Sequence, residues 1–123
     1  MIWTTDTHRF TATTCQHTGR DCPALARMAE KLAGAMESAR PTTTEDFEIE
    51  GTSTLDRCPY RCPARFRASH ARIRIFCGVD GDAEIGPLDR LADLLLSAEA
   101  GGLPASAAPR PCAMVEVVPG AQG

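Results

Sequence analysis

The 123-residue chain is short of aromatic rings, with one Trp, one Tyr and four Phe, and it has no excess of positive charge: 13 Lys and Arg stand against 16 Asp and Glu. A chain of net charge −3 lacks the basic footprint and the stacking platforms of a nucleic-acid binder. No apolar run approaches the ~20 residues that a membrane-spanning helix requires. The opening Met1-Ile2-Trp3-Thr4-Thr5-Asp6 has no basic start, apolar stretch or small-residue cleavage site of a secretory signal. The expectation is a cytoplasmic protein without nucleic-acid or membrane partners. Also missing are an internal repeat, a glycine loop for phosphate, a Ser–His–Asp order and paired catalytic carboxylates, so no hydrolytic or phosphoryl-transfer enzyme is indicated. Glu45, Asp46, Glu48 and Glu50 read as a solvated acidic rim.

Cysteine, by contrast, is abundant: there are six. In a reducing compartment, that number points to metal or redox chemistry before it points to a disulfide framework. Four of them form two pairs. Six residues lie between Cys15 and Cys22, thirty-five between Cys22 and Cys58, and three between Cys58 and Cys62. The second pair sits in Arg57-Cys58-Pro59-Tyr60-Arg61-Cys62-Pro63, where each thiol is followed by proline. Each proline fixes its own φ and biases the preceding cysteine toward an extended backbone, which limits the freedom of the loop.

The length suits one domain, and a 43% hydrophobic content suits one modest core. Threonine-rich Arg9–Cys15 reads as a strand. A loop through His17 leads to Cys22, and Pro23 reads as the first residue of a helix capped by Asp21 or Cys22. Leu25, Met28, Ala29, Leu32 and Met36 mark its apolar face, and Pro41 closes it. Phe47, Ile49 and Gly51 alternate with glutamates as a half-buried strand. A short helical turn is expected from Pro63. Ala71–Val79 alternates again, with Ile73, Ile75 and Cys77 on one face and Arg72 and Arg74 on the other, solvated one. Asp80-Gly81-Asp82 is a hairpin signal leading to a partner strand at 83–85. A second helix follows from Gly86-Pro87, with the stripe Leu88, Leu91, Ala92 and Leu95. Residues 1–100 thus form the expected domain, and 101–123 a Pro/Ala/Gly-rich tail in which Met114–Val118 could add an edge strand.

This order, β-α-β followed by a β-hairpin and a C-terminal helix, is the thioredoxin-like arrangement within the α/β class. In it Cys15 ends the first strand, Cys22 opens the first helix, and Cys58 and Cys62 lie in the loop between the next two strands. Loops at one end of the sheet would bring the four thiolates together. Such a set suits either a two-iron, two-sulfur cluster or a tetrahedral zinc, the latter in a metal-holding or metal-delivery module.

The four-cysteine pattern and the element order resemble the thioredoxin-like [2Fe-2S] ferredoxins and the related two-iron subunit of respiratory NADH dehydrogenase, over about residues 9–99. The first gap is shorter than in those ferredoxins and slightly longer than in the respiratory subunit. The resemblance implies a one-electron carrier, often dimeric, whose [2Fe-2S] cluster is held by Cys15, Cys22, Cys58 and Cys62. A looser likeness to short thioredoxin-like proteins found near cobalamin genes implies a redox partner in cobalt or corrin metabolism.

Cys58-Pro59-Tyr60-Arg61-Cys62 also reads as a glutaredoxin Cys-Pro-Tyr-Cys motif with Arg61 inserted, though it follows the second strand and has one residue too many for a dithiol enzyme. Arg57, Arg61, Arg65, Arg67, Arg72 and Arg74 gather in and after this loop. Beside a cluster they would raise its potential, and Arg61 and Arg65 are the expected docking contacts for an acidic redox protein. Of the remaining candidates, Cys77 reads as a buried structural thiol and Cys112 as a free thiol of the tail, able to substitute as a ligand only if the tail folds back over the site. His17 reads as an exposed loop residue that could also bond or replace a cysteine sulfur. His8 and His70 belong to no pattern.

Overall fold

The computed structural model describes residues 2–55, 58–79, 82–96 and 111–120. Strands β1 (Ile2–Thr4) and β2 (His8–Ala12) come first, followed by helix α1 (Pro23–Ala39), a 3-10 turn at Arg40–Thr42, and strand β3 (Glu48–Thr54). Strands β4 (Pro63–Ser69) and β5 (Ile73–Cys77), helix α2 (Ile85–Leu95) and strand β6 (Ala113–Pro119) complete the order. The six strands make one sheet in the order β1-β2-β6-β5-β4-β3, and every neighbouring pair is antiparallel. The protein is therefore mixed α/β. Among the described residues no helix is long and apolar enough to cross a membrane.

The alternation of side chains along the central strands divides the core into two layers. Phe10, Ala12, Ile73, Ile75, Cys77, Ala113, Val115 and Val117 face α1, which buries Ala24, Leu25, Ala29, Ala33 and Met36 against them. Phe76 and Met114 project from the other side and meet Ile85, Leu88, Leu91 and Ala92 of α2. The sheet thus lies between one helix on each face. Trp3 stacks on Phe10 with ring centroids 4.8 Å apart, tying the short edge strand β1 to the buried end of this layer.

α1 starts where expected, with Cys22 as the extended N-cap residue and Pro23 in the first turn. Other segments depart from the expectation. Residues from Pro63 onward form β4 rather than a helical turn, because Ala64, Phe66 and Ala68 take one face in alternation with Arg65 and Arg67. The hairpin partner of β5 is accordingly β4, joined through Ser69–Arg72. The 83–85 segment is no strand: Ile85 is already the first residue of α2. Asp80 and Gly81 of the expected turn lie outside the described residues. β3 is an edge strand and almost wholly exposed instead of half-buried.

The largest difference lies in the segment read as a tail. Residues 113–119 form β6, paired with both β2 and β5 in the middle of the sheet. As a result β2 and β3, on either side of α1 in sequence, are separated by three strands rather than lying side by side as a parallel pair. Residues 101–110 of the tail are outside the described set.

Arg74 is also not solvated. It is 5% exposed and lies under α2, where Nε donates to Glu116 at 2.8 Å, Nη2 to Asp93 at 2.6 Å and Nη1 to Asp89 at 3.2 Å. Glu116 faces it directly across the β5–β6 ladder. Burying a guanidinium is tolerable only with such complete pairing.

Candidate metal centre

At one end of the sheet several segments stop or start at a cysteine. β2 runs out toward Cys15, α1 opens at Cys22, β5 ends at Cys77, and Cys62 and Cys112 immediately precede β4 and β6. Backbone bonds fasten these ends together. The Cys112 N–H donates to the Cys77 carbonyl and the Gln16 N–H to the Cys112 carbonyl, both at 2.8 Å. The Leu55 N–H donates to the Cys62 carbonyl at 3.0 Å, and the Gly78 N–H to that of Pro63 at 2.7 Å. Cys15, Cys58, Cys62 and Cys77 are buried, while Cys22 and Cys112 are partly exposed.

Cys15, Cys22 and Cys58 share the wall of a cavity of about 300 Å³, closed in part by Tyr60 and bordered by Asp21 and Arg27. Pro23 and Ala24 of the first turn of α1 also line it. The positive end of the helix dipole therefore lies beside the thiols and favours negative charge there. The Cys62 sulfur is 3.7 Å from that of Cys58 and 3.8 Å from that of Cys112. The donor atoms of His17, Cys62 and Cys112 all lie within 4.8 Å of one another.

The local sequence accounts for the shape of the 58–62 loop. Pro59 occupies the second position of a tight turn, and the Arg61 N–H closes it onto the Cys58 carbonyl at 3.0 Å. Arg61 then takes a left-handed conformation, φ 48°, the only non-glycine residue to do so among the described ones. This reversal aims successive N–H groups inward, as an anion-binding nest does. Burial pushes the Cys58 thiol pKa up, but backbone bonds from Cys62, Tyr60 and Arg61, with the Cys62 thiol, outweigh it, and Cys58 titrates below the ordinary cysteine value.

Its neighbours move the other way. Cys62 is pushed up to about 12, first by burial, then by the thiols of Cys58 and Cys112. Burial likewise raises Cys112, and raises Cys77 further still. A metal ion bound here would favour the deprotonated form of these thiols and offset the mutual repulsion of the sulfurs.

All four sequence-predicted ligands thus lie at one sheet end: three around the cavity, and the fourth, Cys62, touching Cys58. Of the expected docking arginines, Arg61 is exposed beside the loop. Arg65 is turned along the sheet, where its Nε donates to the Ala83 carbonyl at 3.1 Å and its Nη2 lies 3.7 Å from Glu50. Cys77 is buried between Ala64 and Ala113 of the adjacent strands, as befits a structural thiol. Cys112 is a free thiol, as expected, but it lies in no loose tail, because β6 carries it into the centre. His17 is exposed, but its ring stacks on Tyr60 with centroids 4.4 Å apart, covering the site from outside.

Comparison of the chain with protein-family models, curated proteins and solved structures finds no match. What points toward a function is the chain's six cysteines together with a His/Cys group able to hold a metal ion.

Proposed function

We propose that this protein is a small one-electron carrier holding a [2Fe-2S] cluster on Cys15, Cys22, Cys58 and Cys62. The observation that carries this reading is the cavity of about 300 Å³ with Cys15, Cys22 and Cys58 in its wall, beside which the Cys62 sulfur lies 3.7 Å from that of Cys58. The donor set fits the group: it is all thiolate, drawn from two loops and a helix start, and supplied with N–H groups at Cys58. When bound, the cluster supplies a store for a single electron.

The chain's own residues do the rest. The N–H groups of Tyr60, Arg61 and Cys62 stabilise negative sulfur, the α1 N-terminus adds positive potential, and the His17–Tyr60 stack limits water access. Exposed Arg61 offers an acidic redox partner a contact near the centre, and a homodimer, a cytoplasmic setting and service to a cobalt or cobalamin pathway belong to the same reading. The relation to the thioredoxin-like ferredoxins rests on the cysteine pattern and the strand–helix opening rather than on sheet order.

Anaerobically purified protein is expected to be brown, to bleach with dithionite and to give a half-spin EPR signal. Cys15→Ser is expected to lose iron while staying folded. Colourless, iron-free protein would remove the reading.

A second reading, a zinc-holding or metal-delivery module, is favoured by the 3.7 Å Cys58–Cys62 separation. Two thiolates at ~2.3 Å from one tetrahedral zinc are about 3.8 Å apart. One zinc per chain in colourless purified protein would support it.

A further inference from the structure

We propose that His17, Cys62 and Cys112 form a separate mononuclear site for a thiophilic divalent ion of the zinc class, beside the cavity and sharing Cys62 with it. Each donor is held by contacts of its own. Cys112 is fixed on both sides of its backbone, by the Cys77 carbonyl and the Gln16 N–H. Its sulfur lies against Gly78, whose φ of +79° suits glycine and where an added Cβ would stand 2.9 Å from the Cys112 sulfur. The chain thus keeps a side chain out of the space that the thiol occupies.

His17 is presented by a closed loop, in which the Cys15 N–H donates to the Arg20 carbonyl at 2.8 Å and the Gly19 N–H to the Cys15 carbonyl at 2.7 Å. Stacking on Tyr60 fixes the ring. Cys62 follows the proline-bound turn and sits 3.8 Å from Cys112, close to the ~3.8 Å expected of two thiolates on one tetrahedral ion.

Two thiolates and an imidazole select a borderline or soft ion. Hard ions such as magnesium or calcium need oxygen ligands. Binding displaces the two thiol protons to solvent and forms two metal–sulfur bonds and one metal–nitrogen bond. Three protein donors leave a fourth position, which exposed His17 places toward solvent, so the ion can be exchanged with a small ligand or another carrier. Because Cys62 belongs to both sets, an ion here and a cluster in the cavity exclude each other. The site itself does not depend on the cluster reading, since neither Cys15 nor Cys22 takes part.

The test is titration of metal-free, reduced, full-length protein with cobalt(II) as a spectroscopic probe for zinc. One ion per chain is expected, with the intense visible bands of tetrahedral cobalt and a near-ultraviolet thiolate-to-cobalt band. Cys112→Ser and His17→Ala should each weaken binding by about 100-fold or more, beyond the ~10–100-fold that loss of an outer partner causes. Cys22→Ser should bind cobalt as the parent does while failing to assemble a cluster. Weak octahedral spectra, or cobalt binding that ignores both Cys112→Ser and His17→Ala, would overturn the site. Should Cys112→Ser not fold, the exposed His17 position still decides the outcome. Iron-free anaerobic protein with Cys112-dependent cobalt binding would sink the electron carrier and keep this site; the opposite pair of results would do the reverse.

Discussion

A single missing Cβ decides where the Cys112 sulfur can sit. Gly78 combines a left-handed backbone with a van der Waals approach to that sulfur, so Gly78→Ala is opposed twice, by strain and by a 2.9 Å contact. The backbone strain alone is about 1–3 kcal/mol, and the thiol must also move. The variant is expected to lose most of its tetrahedral cobalt signal and to unfold at lower urea, whereas Gly34→Ala, on the exposed face of α1 with open space around it, should do neither. His8 yields a second expectation at this scale. Burial holds its pKa below the usual histidine value, with Glu37 opposing and Arg40 assisting. Below pH ~6.5 the unfolded chain therefore binds the proton more readily than the folded one, and stability falls as pH drops toward the folded value. The urea midpoint should decline between pH 7 and pH 5, and His8→Gln should flatten that decline. An unchanged slope would show that another group controls it.

Among the elements, β6 and the Arg74 cluster under α2 bind the two faces of the sheet together. Replacing Arg74 by Met leaves Glu116 without its cation and Asp89 with Arg67 alone, a loss expected to be about 3 kcal/mol in urea denaturation at neutral pH. Glu116→Gln should cost much less, because Asp89 and Asp93 still neutralise the guanidinium. Little of this was readable locally. Arg72 and Arg74 alternate with isoleucines, which assigns them a face but cannot say that α2 covers it. A hint was present in Asp89 and Asp93, one helical turn apart on α2. β4 was hidden by Pro63, whose liking for a helical first turn outweighed the alternation of Ala64, Phe66 and Ala68. β6 has the β-branched composition of a strand, yet the Gly-, Ala- and Pro-rich stretch before it breaks every local link to the body. Only the unpaired edges of β2 and β5 call for it, and those are tertiary facts. By contrast, α1 and its start at Pro23 were legible because capping, first-turn proline and apolar period all agree. The same division holds for the site: paired spacing marked Cys15, Cys22, Cys58 and Cys62, while Cys112 could enter only once its strand was placed.

For the whole molecule, the sulfur-rich end is where segments distant in sequence meet, with Cys15 and Cys112 almost a full chain apart. Elsewhere the fold is held by continuous ladders and by the two helix-facing layers, but here loops meet around a cavity, and burial raises the pKa of Cys62, Cys77 and Cys112. An ion held by His17, Cys62 and Cys112 would therefore cross-link the 15–22 loop, the 58–62 loop and the residue that leads into β6, and its binding energy would add to folding. With free ion at 100 times its dissociation constant, the gain is about 2.7 kcal/mol. For a domain of this size that corresponds to a melting temperature about 10 °C higher. Stripping the ion with a chelator should reverse the rise. It should also speed amide exchange in residues 15–22 and 58–62 first, leaving β4 and β5 near the Ser69–Arg72 turn as protected as before. Uniform loss of protection across the sheet would mean that the metal end and the rest of the fold open as one unit, and that the cysteines hold the molecule together as a whole rather than one end of it.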